Sequence, residues 1–191
     1  MELMSVKIVE TSLPGVIFIE PHLYRDSRGF FMETYSQKKY AKAGVDHLFV
    51  QDNYSHSKRG TLRGLHYQLI HPQGKLVYVV TGEIFDVAVD IRRGSPTFGK
   101  WMGGLLSTEN RRQVFVPAGF AHGFCVLSET ADVMYKCTDF YASGDEYGIF
   151  WADQSIGIDW PIDNPILSAK DSLNPRLSEV VEDLLPTYPR L

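Results

Sequence analysis

The most informative segment for the fold is Arg112-Gln-Val-Phe-Val-Pro-Ala-Gly-Phe-Ala-His122-Gly-Phe124. It joins one apolar, strand-like segment to a second one through a Pro-x-Gly turn. Gly119 permits the positive φ that a tight turn of this kind requires. His122 follows within a segment that otherwise has the pattern of a buried strand, so the stretch predicts a strand, a turn and a second strand whose histidine points inward.

Two further segments place polar side chains in strand-like surroundings. Arg63-Gly-Leu-His66-Tyr-Gln68 carries an arginine and a histidine, and Lys75 follows directly after Gly74. An unpaired polar group inside an apolar barrel costs roughly 1–3 kcal/mol or more. These residues are therefore expected to line a pocket.

Short segments with period-two alternation recur along the chain between Gly and Pro turn signals, which predicts an all-β sandwich or barrel. Further predicted strands are Gly15–Glu20, Phe30–Tyr35, Leu48–Tyr54, Lys75–Val80, Ile84–Arg92, Trp101–Leu106, Gln113–Val116, Gly123–Leu127 and Val133–Thr138. Two short peripheral helices are predicted, one from a Ser36 cap to Gly44 and one over Ser178–Leu185. The Pro-rich end from Pro161 onward is expected to wrap the body or to be partly mobile.

Length and composition limit the class of protein. The 191 residues suit a single domain, 1–191, and an apolar share of 44% excludes a disordered chain. No apolar run approaches the ~20 residues that a membrane helix needs, and the first residues lack the layout of a secretory signal. A cytoplasmic location is therefore expected. The formal charge of −4 argues against nonspecific nucleic-acid binding.

The pattern Pro117-x-Gly119-x-x-His122 resembles the second motif of cupins, a jelly-roll family. Metal-binding cupins carry a His-x-His pair in their first motif, whereas this chain has His66-x-Gln68 at the equivalent place. A divalent metal wants about three converging protein ligands. We therefore expect no metal, and His66 and His122 become candidates for chemistry with side chains alone.

A longer set of motifs is similar to the dTDP-4-dehydrorhamnose 3,5-epimerase family, over about residues 8 to 173. The motifs are Gly29-Phe-Phe-x-Glu33, Gln51-Asp-Asn53, Leu62-Arg-Gly-Leu-His66, Gly74-Lys-Leu-Val77, Phe85-Asp-Val-Ala-Val-Asp-Ile-Arg92, Ser95-Pro-Thr-Phe-Gly99, Phe120-Ala-His-Gly-Phe124, Tyr135-Lys136 and Ser168-Ala-Lys-Asp171. The resemblance implies a cupin-type double-stranded β-helix. It also implies epimerisation at C3 and C5 of dTDP-4-dehydro-6-deoxy-D-glucose through an enolate, with no cofactor.

The same resemblance implies four catalytic residues. His66 matches the family's base, and an imidazole titrates near neutral pH. Asp171 matches the carboxylate that orients this histidine, although Asp86 or Asp90 would serve equally well on spacing alone. Tyr135 matches the acid on the opposite side of the sugar. A fourth match, Lys75, would stabilise the negative charge that develops on the C4 oxygen.

Substrate-binding residues are implied in the same way. The forked guanidinium groups of Arg63 and Arg28 suit a diphosphate. Arg28 and Glu33 match positions that family members contribute through an exchanged N-terminal segment, which implies a homodimer with shared sites. Tyr141 is a candidate for stacking on thymine. Further matches to binding positions are Gln51, Asp52, Asn53, His122, Glu146 and Lys170.

Arg63 and His66 are separated by an odd number of residues, so a regular strand would point them to opposite faces. A β-bulge at Gly64 would shift the parity and turn both side chains inward. We therefore predict an irregularity there.

Three other functions remain open. A related enzyme could invert one carbon only, or shift the keto group of a similar nucleotide sugar, with the same base and acid. A non-catalytic cupin could bind a nucleotide sugar and would need the arginines but no acid–base set. A metal-dependent oxygenase is the third and has the least support, because the first cupin motif lacks its second histidine.

Overall fold

The computed structural model describes residues 6–188, within which the chain forms thirteen strands, one α-helix and three 3₁₀ helices. The strands are β1 (Lys7–Glu10), β2 (Ile17–Glu20), β3 (Leu23–Asp26), β4 (Gly29–Met32), β5 (Gln51–Lys58), β6 (Leu62–Gln68), β7 (Lys75–Thr81), β8 (Glu83–Asp90), β9 (Trp101–Ser107), β10 (Gln113–Val116), β11 (Phe120–Val126), β12 (Thr130–Cys137) and β13 (Glu146–Gly148). Helix α1 spans Gln37–Lys42.

Eleven of these strands form two antiparallel sheets. The six-stranded sheet has the order β1-β2-β10-β7-β12-β5, and the five-stranded sheet has the order β13-β6-β11-β8-β9. Strands β3 and β4 form a separate hairpin. Chain neighbours are often not sheet neighbours, because the chain crosses repeatedly from one sheet to the other. The predicted all-β, cupin-type jelly roll is confirmed.

The sheets enclose an apolar core built by alternate residues of each strand. Val77 and Val133 from the six-stranded sheet pack in one buried cluster with Ala88 and Phe124 from the five-stranded sheet. The residues of β7 and β12 that line the cleft have the same parity as these core residues and lie two positions away along each strand. The inward face of a strand thus supplies both core and site residues, at different positions along its length.

All nine strands of the predicted series are present, with shifted ends, and Gln113–Val116 is reproduced without change. Three short strands were not predicted: β1, β3 and β13. Each has only three or four residues, too few for an alternation pattern to stand out.

The first predicted helix is confirmed as α1, although the Ser36 hydroxyl makes no capping hydrogen bond. The second prediction is wrong, because 178–185 forms two separate 3₁₀ turns, Leu177–Glu179 and Glu182–Leu184. Val180 and Val181 between them have extended backbones. Adjacent β-branched residues lose side-chain freedom in a helix, and the extended link lets Leu177 and Leu185 both reach the core.

The C-terminal segment wraps the body. Leu177 and Leu185 are buried in a cluster with residues of β6, β8 and β13 on the outer side of the five-stranded sheet. This docking carries residues 166–171 past the mouth of the cleft, where Ile166 pairs in parallel with Thr61. No helix within residues 6–188 has both the length and the apolar character needed to cross a membrane.

Candidate active site

A cleft of about 440 Å³ opens between the two sheets. Its walls come from both sheets and from the C-terminal segment. Polar residues on its lining include Ser55, Arg63, His66, Lys75, His122, Tyr135, Glu146, Lys170 and Asp171. Apolar residues at one end include Leu62, Phe124, Ile166 and Leu167. The pocket that the buried polar residues predicted is therefore present.

The bulge predicted at Gly64 brings Arg63 and His66 to this cleft together. His122 of β11 pairs with His66, and Phe124 pairs with Arg63. Between these two pairs β6 contains one residue more than β11, which is the definition of a β-bulge. The strands approach closely here, because a Cβ on Gly64 would lie 2.5 Å from the Cα of Gly123. The predicted irregularity is confirmed, and glycine is required on both strands.

His66 and Asp171 form a hydrogen-bonded pair. The Nε2 of His66 lies 2.6 Å from Oδ1 of Asp171, whose side chain is 5% exposed. Burial alone would raise the pKa of Asp171, but the hydrogen bond to His66 and one from the backbone N–H of Gly64 bring the pKa below its ordinary value. The carboxylate therefore stays ionised beside the imidazole.

The other imidazole nitrogen of His66, Nδ1, faces the cleft. This nitrogen lies 3.9 Å from Oε1 of Glu146, which is too far for a hydrogen bond. Glu146 instead accepts a hydrogen bond from the ammonium of Lys170. Within the described chain, His66 is thus fixed through Nε2, and its Nδ1 faces open space.

Tyr135 and Lys75 enter the same cleft from the opposite sheet. Strands β12 and β7 are neighbours, with Tyr135 opposite Val77 in the register. Burial raises the pKa of the Tyr135 phenol, which keeps its proton in place at neutral pH. Burial also lowers the pKa of the Lys75 ammonium. The Tyr135 phenol and the Lys75 amine therefore lie across the cleft from His66, which belongs to the five-stranded sheet.

His122 forms a second histidine–aspartate pair. Its Nε2 lies 2.9 Å from Oδ2 of Asp86, and both side chains are buried. Three carboxylates were candidates to orient His66, and each has a different partner in the structure. Asp171 bonds His66, Asp86 bonds His122, and Asp90 bonds Arg92, 2.7 Å away.

Strand β5 presents alternate residues to the cleft and to solvent. The side chains of Gln51 and Asn53 line a smaller pocket that adjoins the main cleft, together with Tyr141. Asp52 has the opposite parity, faces away from the cleft and pairs with Lys136 at 2.9 Å. The chain alone therefore brings Gln51, Asn53 and Tyr141 to the site but leaves Asp52 outside it, because neighbours on a strand point to opposite faces.

Arg28 and Glu33 also lie outside the cleft. Arg28 pairs with Asp26 across the turn of the β3–β4 hairpin, at 2.7 Å. Glu33 pairs with Lys39 of α1. The hairpin exposes three aromatic side chains, since Tyr24 is 43%, Phe30 is 45% and Phe31 is 65% exposed.

Gln68, at the position where metal-binding cupins carry their second histidine, has a structural role. Its amide nitrogen donates to the backbone oxygens of His71 and Phe140, at 2.7 and 3.1 Å. Within residues 6–188, no group of three His, Cys, Asp or Glu side chains is placed to hold a metal ion.

Two serines of β5 at the cleft were not predicted from the sequence. The hydroxyl of Ser57 accepts a hydrogen bond from Nε of Arg63 at 3.0 Å, and Ser55 lines the cleft directly. The predicted strand stopped at Tyr54. Extending its alternation four residues further would have placed both serines on the face of Gln51 and Asn53.

The chain is similar to known proteins over most of its length. Residues 10–179 match the model of the dTDP-4-dehydrorhamnose 3,5-epimerase family. The chain is 56% identical over 168 residues to the dTDP-4-dehydrorhamnose 3,5-epimerase of Shigella flexneri, covering 87% of this chain and 93% of that protein. An enzyme of the same name from Pseudomonas aeruginosa is also 56% identical, with the same coverage.

A solved structure is similar over nearly the whole chain. It is the dTDP-6-deoxy-D-glucose-3,5-epimerase of Legionella pneumophila Philadelphia 1, crystallised with dTDP-4-keto-L-rhamnose. The TM-score is 0.94 at 50% identity, and the match covers 97% of this chain and 100% of that one. With its family model, its relatives and its fold in agreement, the chain belongs to the dTDP-4-dehydrorhamnose 3,5-epimerase family.

Proposed function

We propose that the protein is an isomerase that inverts C3 and C5 of dTDP-4-dehydro-6-deoxy-D-glucose, giving dTDP-4-dehydro-L-rhamnose for dTDP-rhamnose biosynthesis. Family membership and relatives of that name over nearly their full length support the activity. One observation carries the mechanism. The paired His66 and Asp171 come from one side of the cleft, and Tyr135 comes from the opposite sheet.

The chemistry needs an acid and a base on opposite faces of the sugar. A C4 ketone acidifies the hydrogens on C3 and C5, so that a base can remove either one as a proton and leave an enolate. Return of a proton from the other face inverts the carbon. A general acid and a general base of this kind each contribute on the order of 10²–10⁴-fold to rate, and no redox cofactor is required.

His66 is the proposed base. If Nε2 donates its proton to Asp171, the other nitrogen, Nδ1, carries the lone pair that accepts a substrate proton. The resulting imidazolium is stabilised by the adjacent carboxylate. The depressed pKa of Asp171 supports this assignment, because only an ionised carboxylate stabilises that charge.

Tyr135 is the proposed acid and Lys75 the proposed stabiliser of the enolate. A phenol whose pKa is raised holds its proton until the strongly basic enolate carbon is formed. The buried ammonium of Lys75 lies on the strand next to Tyr135, where it would meet the C4 oxygen. A cation in a desolvated site stabilises developing negative charge more than it would in water.

Other polar residues are proposed to bind the nucleotide and diphosphate. Arg63 and Lys170 supply positive charge in the main cleft, near the buried His122. The adjoining pocket supplies amides and carboxylate for the base or sugar, with Tyr141 at its exposed edge as the stacking partner. These amide and carboxylate residues are Gln51, Asn53 and Glu146.

We further propose a homodimer in which each protomer lends its N-terminal segment to the other site. Arg28 and Glu33 lie outside the cleft of their own chain, and the hairpin that carries Arg28 exposes apolar rings. Strand β5 is an open sheet edge whose outward Asp52 would meet the incoming segment. The substrate is a nucleotide sugar of the cytoplasm, so we place the enzyme there.

Mixing two inactive variants tests the shared site. Arg28→Ala and His66→Ala each disable every homodimer. A mixed dimer would contain one intact site, with His66 from one chain and Arg28 from the other. Recovery of activity on mixing after partial unfolding supports the exchange, whereas independent sites would give none.

The activity itself is tested by NMR of dTDP-4-dehydro-6-deoxyglucose with the protein in heavy water. Deuterium at both C3 and C5, together with the rhamno product, is the expected result. Exchange and inversion at one carbon only would instead identify a single-site epimerase. Nucleotide binding without any exchange would identify a binding protein.

A further inference from the structure

Strand β5 turns a row of polar side chains toward the cleft. Two neighbours in this row, Ser55 and Ser57, behave differently. The Ser57 hydroxyl accepts a hydrogen bond from Nε of Arg63 at 3.0 Å. The Ser55 hydroxyl is buried and has no hydrogen-bond partner among residues 6–188, although Ser55 lines the cleft.

An unmet hydroxyl in a buried position destabilises the free protein, and such groups are rare in native structures. Ser55 lies on a face where an apolar residue of similar size would pack without this penalty. The position of Ser55 on the cleft wall explains the hydroxyl, because rotation of this short side chain toward the cleft would let a ligand supply the missing partner.

The surroundings of Ser55 favour an anionic partner. Ser57 lies two residues further along β5, about 7 Å away, and holds the Nε of Arg63. That contact leaves both terminal guanidinium nitrogens of Arg63 for another group. The carboxylates of the same cleft are already engaged, Asp171 with His66 and Glu146 with Lys170.

We propose that the Ser55 hydroxyl donates a hydrogen bond to a phosphate oxygen of the bound nucleoside diphosphate, beside Arg63. The inference rests on the proposed function, since it names a further contact for the same ligand. Serine and arginine then share the diphosphate: Arg63 supplies the charge, and Ser55 fixes one oxygen.

Ser55→Ala tests the proposal through two readouts with opposite expectations. Affinity for dTDP, measured by calorimetry, falls about tenfold, as expected for a lost bond to a charged oxygen. Affinity for thymidine, which has no phosphate, is unchanged in an NMR titration. The free variant melts at the same temperature as the wild type or higher, because a group without a partner has been removed.

Ser57→Ala is the contrasting variant. It breaks a bond that already exists, so the free protein melts at a lower temperature. An unchanged affinity of Ser55→Ala for dTDP would overturn the proposal, and so would lower thermal stability with equal losses for dTDP and thymidine.

The two proposals can fail separately. A wild-type protein that binds dTDP but does not invert the sugar would overturn the catalytic function. The dTDP affinity of Ser55→Ala would still decide whether Ser55 binds phosphate. A wild-type protein that does not bind dTDP would overturn both.

Discussion

Nε2 of His66 lies 2.6 Å from Oδ1 of Asp171, although 105 residues separate them in the chain. His66 belongs to a central strand, β6, whereas Asp171 begins a 3₁₀ turn after the last strand. The pair therefore depends on tertiary docking, and it selects which imidazole nitrogen faces the cleft. The consequences for catalysis can be measured directly.

Asp171→Asn is expected to lower kcat on the order of 10²-fold, because the amide neither stabilises an imidazolium nor enforces the tautomer. Steady-state kinetics provide the test, with dTDP affinity as the control. Affinity should remain close to the wild-type value, since Asp171 bonds His66 rather than a free part of the cleft. A variant with wild-type kcat would exclude the orienting role.

Tyr135→Phe is expected to separate proton removal from inversion. His66 can still remove a proton and return a solvent deuteron to the same face. Deuterium should therefore enter the starting sugar, while formation of the inverted product falls by roughly 10²–10⁴-fold. The measurement is NMR in heavy water. Equal rates of inversion in variant and wild type would show that another group is the acid.

Lys75→Met is expected to stabilise the free protein while lowering kcat. The lowered pKa of Lys75 means that the folded state disfavours its charge, so removal should stabilise by on the order of 1 kcal/mol near neutral pH. The gain should shrink as pH rises from the lowered pKa toward the ordinary lysine range, where the wild-type amine loses its charge. Denaturant unfolding at several pH values tests the sign, and a destabilised variant would contradict it.

Gly64→Ala is expected to destabilise by about 3 kcal/mol or more, from the clash together with the strained φ. The added Cβ would lie 2.5 Å from the Cα of Gly123, at a φ of +129°. Gly94→Ala is the matched control, with a φ of +81° and nothing within 4 Å. Its cost should be about 1 kcal/mol, from backbone strain alone. Similar urea unfolding curves for both variants would mean that the strands can separate.

Asp145→Asn is expected to destabilise by about 1–3 kcal/mol at pH 7. Asp145 accepts hydrogen bonds from the backbone N–H groups of residues 69 to 71. Burial would raise the pKa of Asp145, but these bonds lower it. The wild-type advantage should therefore fade as pH falls from about 4, the ordinary aspartate value, toward the lowered pKa of Asp145. Exposed Asp163→Asn serves as the control, and a pH-independent difference would count against the assignment.

Local patterns predicted the strands and the bulge at Gly64, because alternation and parity are properties of neighbouring residues. They could not pair His66 with Asp171 rather than Asp86, since that choice depends on which elements dock. The resemblance to a family supplied it. The helix predicted at 178–185 failed because burial of Leu177 and Leu185 outweighed local propensity.

The C-terminal wrap carries Asp171, the proposed orienting carboxylate, which follows every described strand in the sequence. All thirteen described strands are thus synthesised before the His66 pair can form. Under the proposed mechanism, catalytic competence is therefore acquired only when the segment that carries Asp171 docks. A chain without residues 166–171 would lack both this carboxylate and one wall of the cleft, so turnover would report on docking of the C-terminal segment.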